Sequence, residues 1–213
     1  MKISAYGINI LYTNPLFQGL HETQIINLLS EPVSTVKYFN KEETVIAYGQ
    51  QIKEIGVLLS GSVCITKTDY DGNQLLITKM HTGAVFGESF VCAGGERASV
   101  TVTADVDAEI LFLNSIEKLP ALVQKNLMII LARKNLFLNR RISLLSLGSI
   151  REKVLSFLKE ECDKQQITPF YLTMDRNEMA DYLCVDRSAL SRELGKMKRE
   201  NLIDYHKNCF RLM

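Results

Sequence analysis

The chain has 213 residues, a hydrophobic fraction of 46% and a formal net charge of +1. That length holds two small domains or one large one, and the apolar content suits a soluble globular protein with a sizeable core. The near-zero charge gives no global sign of a nucleic-acid partner, so any basic surface has to be local. Five cysteines, odd in number and without a CxxC pair, point to reduced thiols in a cytoplasm. They argue against a disulfide framework and against a zinc site. The opening MKISAYGINILYTNPLF has neither a long apolar core nor a small-residue cleavage site, so no signal peptide is expected. The most apolar run, 127–132, is far short of the ~20 residues needed to cross a bilayer, so no membrane partner is expected.

A short helix is predicted over 15–29. Strands follow over 33–39, 44–47, 55–59, 63–68, 75–79, 98–103 and 109–113, each rich in β-branched and apolar residues. Gly49, Gly61, Gly72, Gly83 and Gly87 punctuate them. Asp71-Gly72 between two alternating runs is a hairpin signal, because glycine accepts the positive φ of a tight turn. Many short strands at regular spacing predict an all-β sandwich, barrel or roll.

The segment 119–147 reads as one long helix. Heptads place Met128, Asn135 and Ile142 at one core position and Leu131, Leu138 and Leu145 at the other. This is a coiled-coil seam with one polar break, and a buried Asn135 would fix a parallel two-stranded register. The alternative is that the helix lays this seam on its own β domain. Val123, Leu127, Ile130 and Phe137 form a second apolar face suited to such packing. Gly148 then permits a bend, and a helix resumes at Ile150. The predicted domains are therefore 1–118, 119–147 and 148–213.

The last quarter carries the clearest chemistry. Asp175 and Glu178, three apart and ahead of Met179, Ala180, Tyr182 and Leu183, form a capping box. The helix they start should stop near Cys184, a position suited to a small apolar packing residue. Asp186 offers a second cap for a helix from Arg187 to about Glu200. Leu190, Leu194 and Met197 commit one face of it to the core. The other face carries Arg187, Ser188, Ser191, Arg192, Lys196, Lys198 and Arg199, and the segment is net +3. Arginine donates bidentately to guanine, serine bonds several base edges and lysine neutralises phosphate. Leu202 to Tyr205 and Cys209 to Leu212 read as two strands of a wing around His206-Lys207-Asn208. The whole is a winged helix-turn-helix, and its partner is double-stranded DNA. Arg187, Ser188, Ser191 and Arg192 should reach bases. Arg176 and Lys196 are placed for phosphates.

These motifs, in this order, resemble the Crp/Fnr family of bacterial transcription regulators over nearly the whole chain. VLLSGSV (57–63) is similar to the family's strand-glycine-strand signature, and GAVFGESFVCAGGERASV (83–100) to its phosphate-binding cassette. The stretch 175–192 follows its helix-turn-helix pattern. The resemblance implies an α+β chain: a cyclic-nucleotide-binding-like β-roll, a long dimerisation helix and a winged helix-turn-helix. It also implies a cytoplasmic homodimer that meets a palindromic operator and RNA polymerase.

In cyclic-AMP-responsive members the cassette uses Gly-Glu and Arg-Ser. Here Gly87, Glu88 (with Ser89 beside it) and Arg97 match, but Ala98 replaces the serine. The purine-reading Thr-Ser pair of those members falls on Leu138 and Asn139. Cyclic AMP is therefore not carried over. An internal Glu88–Arg97 ion pair is the alternative to a ligand role. With no cysteine before Cys64, the iron–sulfur cluster of the oxygen-sensing branch is excluded as well.

Two readings remain open. In one, the roll senses a small, anionic effector. In the other it is degenerate, and thiol oxidation at Cys64 or Cys92, or a protein partner, controls the regulator. An enzyme is not expected, since no catalytic triad, metal-ligand cluster or P-loop is present. No metal is expected either.

Overall fold

The computed structural model describes residues 3–30, 32–69 and 74–213. By internal packing the chain divides into two units, Met1–Arg133 and Lys134–Met213.

The first unit opens with α1 (Ala5–Thr13), a 3-10 turn (Pro15–Phe17) and α2 (Glu22–Ser30). Strands β1 (Ser34–Phe39), β2 (Thr44–Ile46), β3 (Ile55–Ser60), β4 (Ser62–Thr68), β5 (Gln74–His81) and β6 (Val85–Phe86) follow. After α3 (Glu88–Cys92) come β7 (Thr101–Ala104), β8 (Ala108–Leu113) and the start of α4 (Ala121–Leu145). The strands make two four-stranded sheets, β1-β8-β3-β6 and β2-β7-β4-β5, antiparallel throughout.

Strand periodicity explains the layering. On β3, Ile55, Val57 and Leu59 face a core shared with Leu11, Leu16, Phe17, Ile25 and Leu28 of the N-terminal helices and with Val123 and Leu127 of α4. Leu58 faces the other way, into a core between the two sheets with Val63, Val102, Ile110 and Phe112. Successive side chains alternate faces, so β3 and β8 are buried on both sides. They therefore read as near-continuous apolar runs rather than alternating ones, broken in β8 by the buried Glu109.

The helix expected over 15–29 is in fact interrupted. Asn14 accepts from the Leu16 amide at 2.9 Å and Pro15 begins the 3-10 turn, while Gly19 takes φ +85° before α2. Helix α1 is not among the elements the sequence pattern predicts. Its cap is Ser4, whose Oγ accepts from the Gly7 amide at 3.0 Å. The Ser4 amide and hydroxyl in turn donate to the buried Glu109 carboxylate at 3.0 and 2.5 Å, and Tyr38 Oη donates to the same group at 3.0 Å. The two-residue β6 and the single turn of α3 were too short for periodicity to show. The Asp71-Gly72 turn lies outside the described residues, although β4 and β5 on either side of it pair as a hairpin would.

The second unit holds the end of α4, α5 (Ile150–Gln165), β9 (Phe170–Tyr171), α6 (Arg176–Leu183), α7 (Arg187–Arg199), β10 (Ile203–His206) and β11 (Cys209–Leu212). The strands form one antiparallel sheet, β10-β11-β9. Its core gathers Leu144, Val154, Phe157, Leu158, Phe170, Met179, Leu183, Leu190, Leu194, Met197, Ile203 and Phe210. Both capping boxes are closed: Ser149 with Glu152 for α5, and Asp175 with Glu178 for α6. Asp186 caps α7 by accepting from the Ala189 amide at 2.8 Å.

Three expectations are corrected. Cys184 is exposed, not packed, and ends α6 in the left-handed region at φ 50°. Phe137 is 54% exposed, although Val123 and Leu127 on the face assigned to it are buried. The wing has a third strand, β9, contributed from before α6.

Candidate functional site

Helix α7 presents a polar stripe opposite its buried Leu190, Leu194 and Met197. Ser188, Ser191, Arg192 and Lys196 are exposed on that stripe, and Arg187, exposed in the first turn of the helix, stands beside it, three and seven residues before Leu190 and Leu194. Among the described residues, Arg187 and Arg192 have neither an ion pair nor a hydrogen bond, so their guanidinium donors are free. Lys196 sits 3.9 Å from Glu193, a loose contact.

Two basic residues serve the wing instead. Lys198 pairs with Asp204 at 2.7 Å, donates to the Tyr205 carbonyl at 2.9 Å and lies over the Tyr205 ring. Arg176, assigned to a phosphate from the sequence, donates through Nη2 to the Lys207 carbonyl at 2.6 Å. Its guanidinium lies 4.8 Å from the Phe210 ring centroid and 5.4 Å from that of Tyr205. Its Nη1 is buried without a hydrogen-bond partner, and burial holds the group below the usual arginine range. The aromatic pair on β10 and β11 draws this side chain toward the wing.

The acidic residues of α7 are also occupied. Arg151 on α5 donates to Glu193 at 2.6 Å and to both oxygens of Glu200 at 2.6 and 3.0 Å. This network offsets part of the negative charge that would oppose a polyanion at the helix. Nothing in the local sequence of α5 signals it, because the partners lie 42 and 49 residues away.

In the roll, Gly87 takes φ +79° and starts α3, and Glu88 directly after it is buried at 3% exposure. Ser89 is exposed and its hydroxyl lies 3.5 Å from Glu88 Oε1. Arg97 is exposed and donates to the Gly49 carbonyl at 2.8 Å. Among the described residues it does not pair with Glu88, so the internal ion pair held as an alternative is not formed. Ala98 turns its methyl into the core between the sheets, where it can give no hydrogen bond.

Neither thiol is set up as a reactive thiolate. Desolvation and then Asp105 push the Cys64 thiol up. Desolvation and then Glu88 do the same for Cys92. A thiolate nucleophile requires the opposite shift.

Residues 36–126 match the cyclic nucleotide-binding domain family, and residues 152–212 match the Crp-like helix-turn-helix domain family. The cAMP-activated global transcriptional regulator CRP of Pasteurella multocida is 26% identical over 80% of this chain and 85% of its own. The cyclic AMP receptor protein of Thermus thermophilus is 26% identical over 89% and 88%. Among solved structures, the Thermus thermophilus catabolite activator protein aligns with a TM-score of 0.56 at 25% identity, covering 94% of each chain.

The chain belongs to the Crp/Fnr family.

As a Crp/Fnr member it is a DNA-binding transcription regulator with a cyclic nucleotide-binding domain and a helix-turn-helix. Its candidate DNA-reading residues, apart from Arg176, are all exposed on α7. Its cassette residues Gly87, Glu88, Ser89, Arg97 and Ala98 share the roll. Leu138 and Asn139 lie in the second unit, exposed on α4, where Asn139 donates to Asn135 Oδ1 at 2.9 Å. The heptad positions on α4 are mostly open: Met128, Leu138 and Ile142 are 65%, 56% and 62% exposed, Asn135 is exposed and Leu145 is 37% exposed. Leu131 is the exception, packing partly against the first core.

Proposed function

We propose that this regulator is a homodimer, joined through the α4 seam, that reads a palindromic operator with α7 and acts through RNA polymerase. The observation that carries the reading is the exposed row Arg187, Ser188, Ser191 and Arg192, whose arginines make no ion pair or hydrogen bond among the described residues. Arg187 and Arg192 are assigned to guanine edges, the serines to neighbouring bases and Lys196 to a phosphate. The apolar side chains left open at Met128, Leu138, Ile142 and Leu145 support the dimer. Two reading helices would then address half-sites about one helical turn apart.

The roll binds a small anionic effector through Arg97, with Glu88 accepting from a hydroxyl. The residues at 98, 138 and 139 withhold the contacts that a cyclic AMP reader uses. The thiol-controlled alternative is less favoured, because both candidate thiols are shifted away from reactivity.

The test is selection of bound sequences from a random duplex pool, with cyclic AMP, with an extract of small molecules, and without either. A palindrome with half-sites one turn apart supports the reading, and the absence of any preferred sequence overturns it. Dependence on the extract, lost in Arg97→Ala, supports the effector assignment.

A further inference from the structure

We propose that Arg141 is the positioning residue that fixes the angle at which α4 presents the recognition helix, and so sets the half-site spacing the protein accepts. This rests on the homodimer reading above.

The last turns of α4 have two faces. Leu138, Ile142 and Leu145 are exposed on one. Leu144, 5% exposed, enters the second core from the other, and Arg141, which helical spacing leaves between the two faces, turns toward Tyr182. Among the described residues Arg141 makes no ion pair. Its Nη1 donates to the Tyr182 carbonyl, and its guanidinium carbon lies 4.0 Å from the centroid of the Tyr182 ring. One side chain thus holds the backbone and the ring of a single residue.

Tyr182 lies in the last turn of α6, where carbonyls have no partner within the helix. Lys153 of α5 donates to the next carbonyl, that of Leu183, at 3.4 Å. Two cations therefore cover the C-terminal end of α6, the end that favours positive charge. The ring side is backed as well, since Tyr182 packs on Phe157 with centroids 5.2 Å apart.

From Tyr182 to the reading face the chain has little freedom. Cys184 turns at φ 50°, the Val185 amide donates to the Ala180 carbonyl at 3.0 Å, and Asp186 caps α7. Arg187 and Ser188 follow at once. The position of the α6 end therefore dictates where α7 begins. Arg141 ties that end to the helix that carries the seam. Leu144 supplies adhesion without direction, whereas a planar guanidinium stacked on one ring and bonded to one carbonyl supplies direction.

The experiment uses the full chain and duplexes carrying the half-sites selected above. Spacing is varied one base pair at a time, with an isolated half-site for comparison, and mass is followed by sedimentation. Arg141→Ala should remain a dimer and keep its affinity for the isolated half-site. Its discrimination between the best spacing and its neighbours should fall by about tenfold. Arg141→Lys keeps the charge and the helix but loses the planar stack, and should lose much of the same discrimination. It carries the test if the alanine variant does not fold. A dimeric, folded variant with unchanged spacing preference overturns the inference alone. A monomeric wild type overturns the dimer reading and the inference with it.

Discussion

Arg151 of α5 grips Glu200, at the end of the recognition helix, through two parallel hydrogen bonds of 2.6 and 3.0 Å. The bidentate fork is the stronger form of such a pair. It holds the Glu200 carboxyl below the usual carboxylate range. A carboxylate with a depressed folded value contributes stability above its unfolded value and loses it as the pH falls through the folded one. The DNA-binding unit should therefore lose thermal stability as pH drops below about 4.5, and Arg151→Ala should flatten that slope. Calorimetry between about pH 3 and pH 7 checks both. Equal slopes in the two proteins would show that the fork contributes nothing to folding.

Ser4 both caps α1 and donates twice to Glu109. Ser4→Ala should cost about 1 kcal/mol as a lost cap, and somewhat more because the buried carboxylate loses a donor. Urea unfolding followed by far-UV circular dichroism measures it. A change below a few tenths of a kcal/mol would mean that α1 is not held by this contact.

Gly49 and Gly61 both have positive φ, near +77° and +85°, yet differ in surroundings. A Cβ on Gly61 would stand 2.3 Å from the Asp107 carbonyl oxygen, while one on Gly49 meets nothing within 4 Å. Both alanine variants incur the left-handed strain of about 1–2 kcal/mol. Gly61→Ala should lose a further ~1–3 kcal/mol from overpacking against backbone. Equal denaturation midpoints for the two would refute the difference.

On a selected operator, Arg192→Ala should cost ~1–3 kcal/mol and relax preference at one base pair. Lys196→Ala should weaken all sequences alike and reduce the salt slope by about 1. Arg176→Ala should do neither at first hand: its guanidinium supports the wing, so it should lower the melting temperature and leave the salt slope unchanged. A reduced slope for Arg176→Ala would restore it to the phosphate role read from the sequence.

Ile142 is 62% exposed near the C-terminal end of the α4 seam. Ile142→Glu should convert the dimer to monomer by sedimentation without loss of helical content, and half-site binding should survive while operator binding collapses. A dimer that persists in this variant would move the interface elsewhere.

The C-terminal elements were legible because their signals are local. Asp175, Glu178 and Asp186 announce two helix starts within a dozen residues, and Leu190, Leu194 and Met197 fix which face is hidden. The strands of the roll were legible from β-branched runs. The fine partition of charge was not. Arg176 and Lys198 look like any other basic residues until the rings of Tyr205 and Phe210 are placed beside them. Arg151 and Arg141 act on residues more than 40 positions away, and one-dimensional periodicity carries no trace of them. Phe137 failed for a related reason: helical spacing says which residues share a face, not how far along the helix a core extends.

Helix α4 gives Val123 and Leu127 to one hydrophobic core and Leu144 to another. The sequence suggests a tidy seam at Gly148, yet a fragment begun there would leave the second core short of Leu144 and the α6 end without Arg141. Recombination during evolution meets the same restriction. A sensing module exchanged at the glycine would arrive with a foreign last turn, so workable shuffling points should lie upstream of residue 141, within the helix itself.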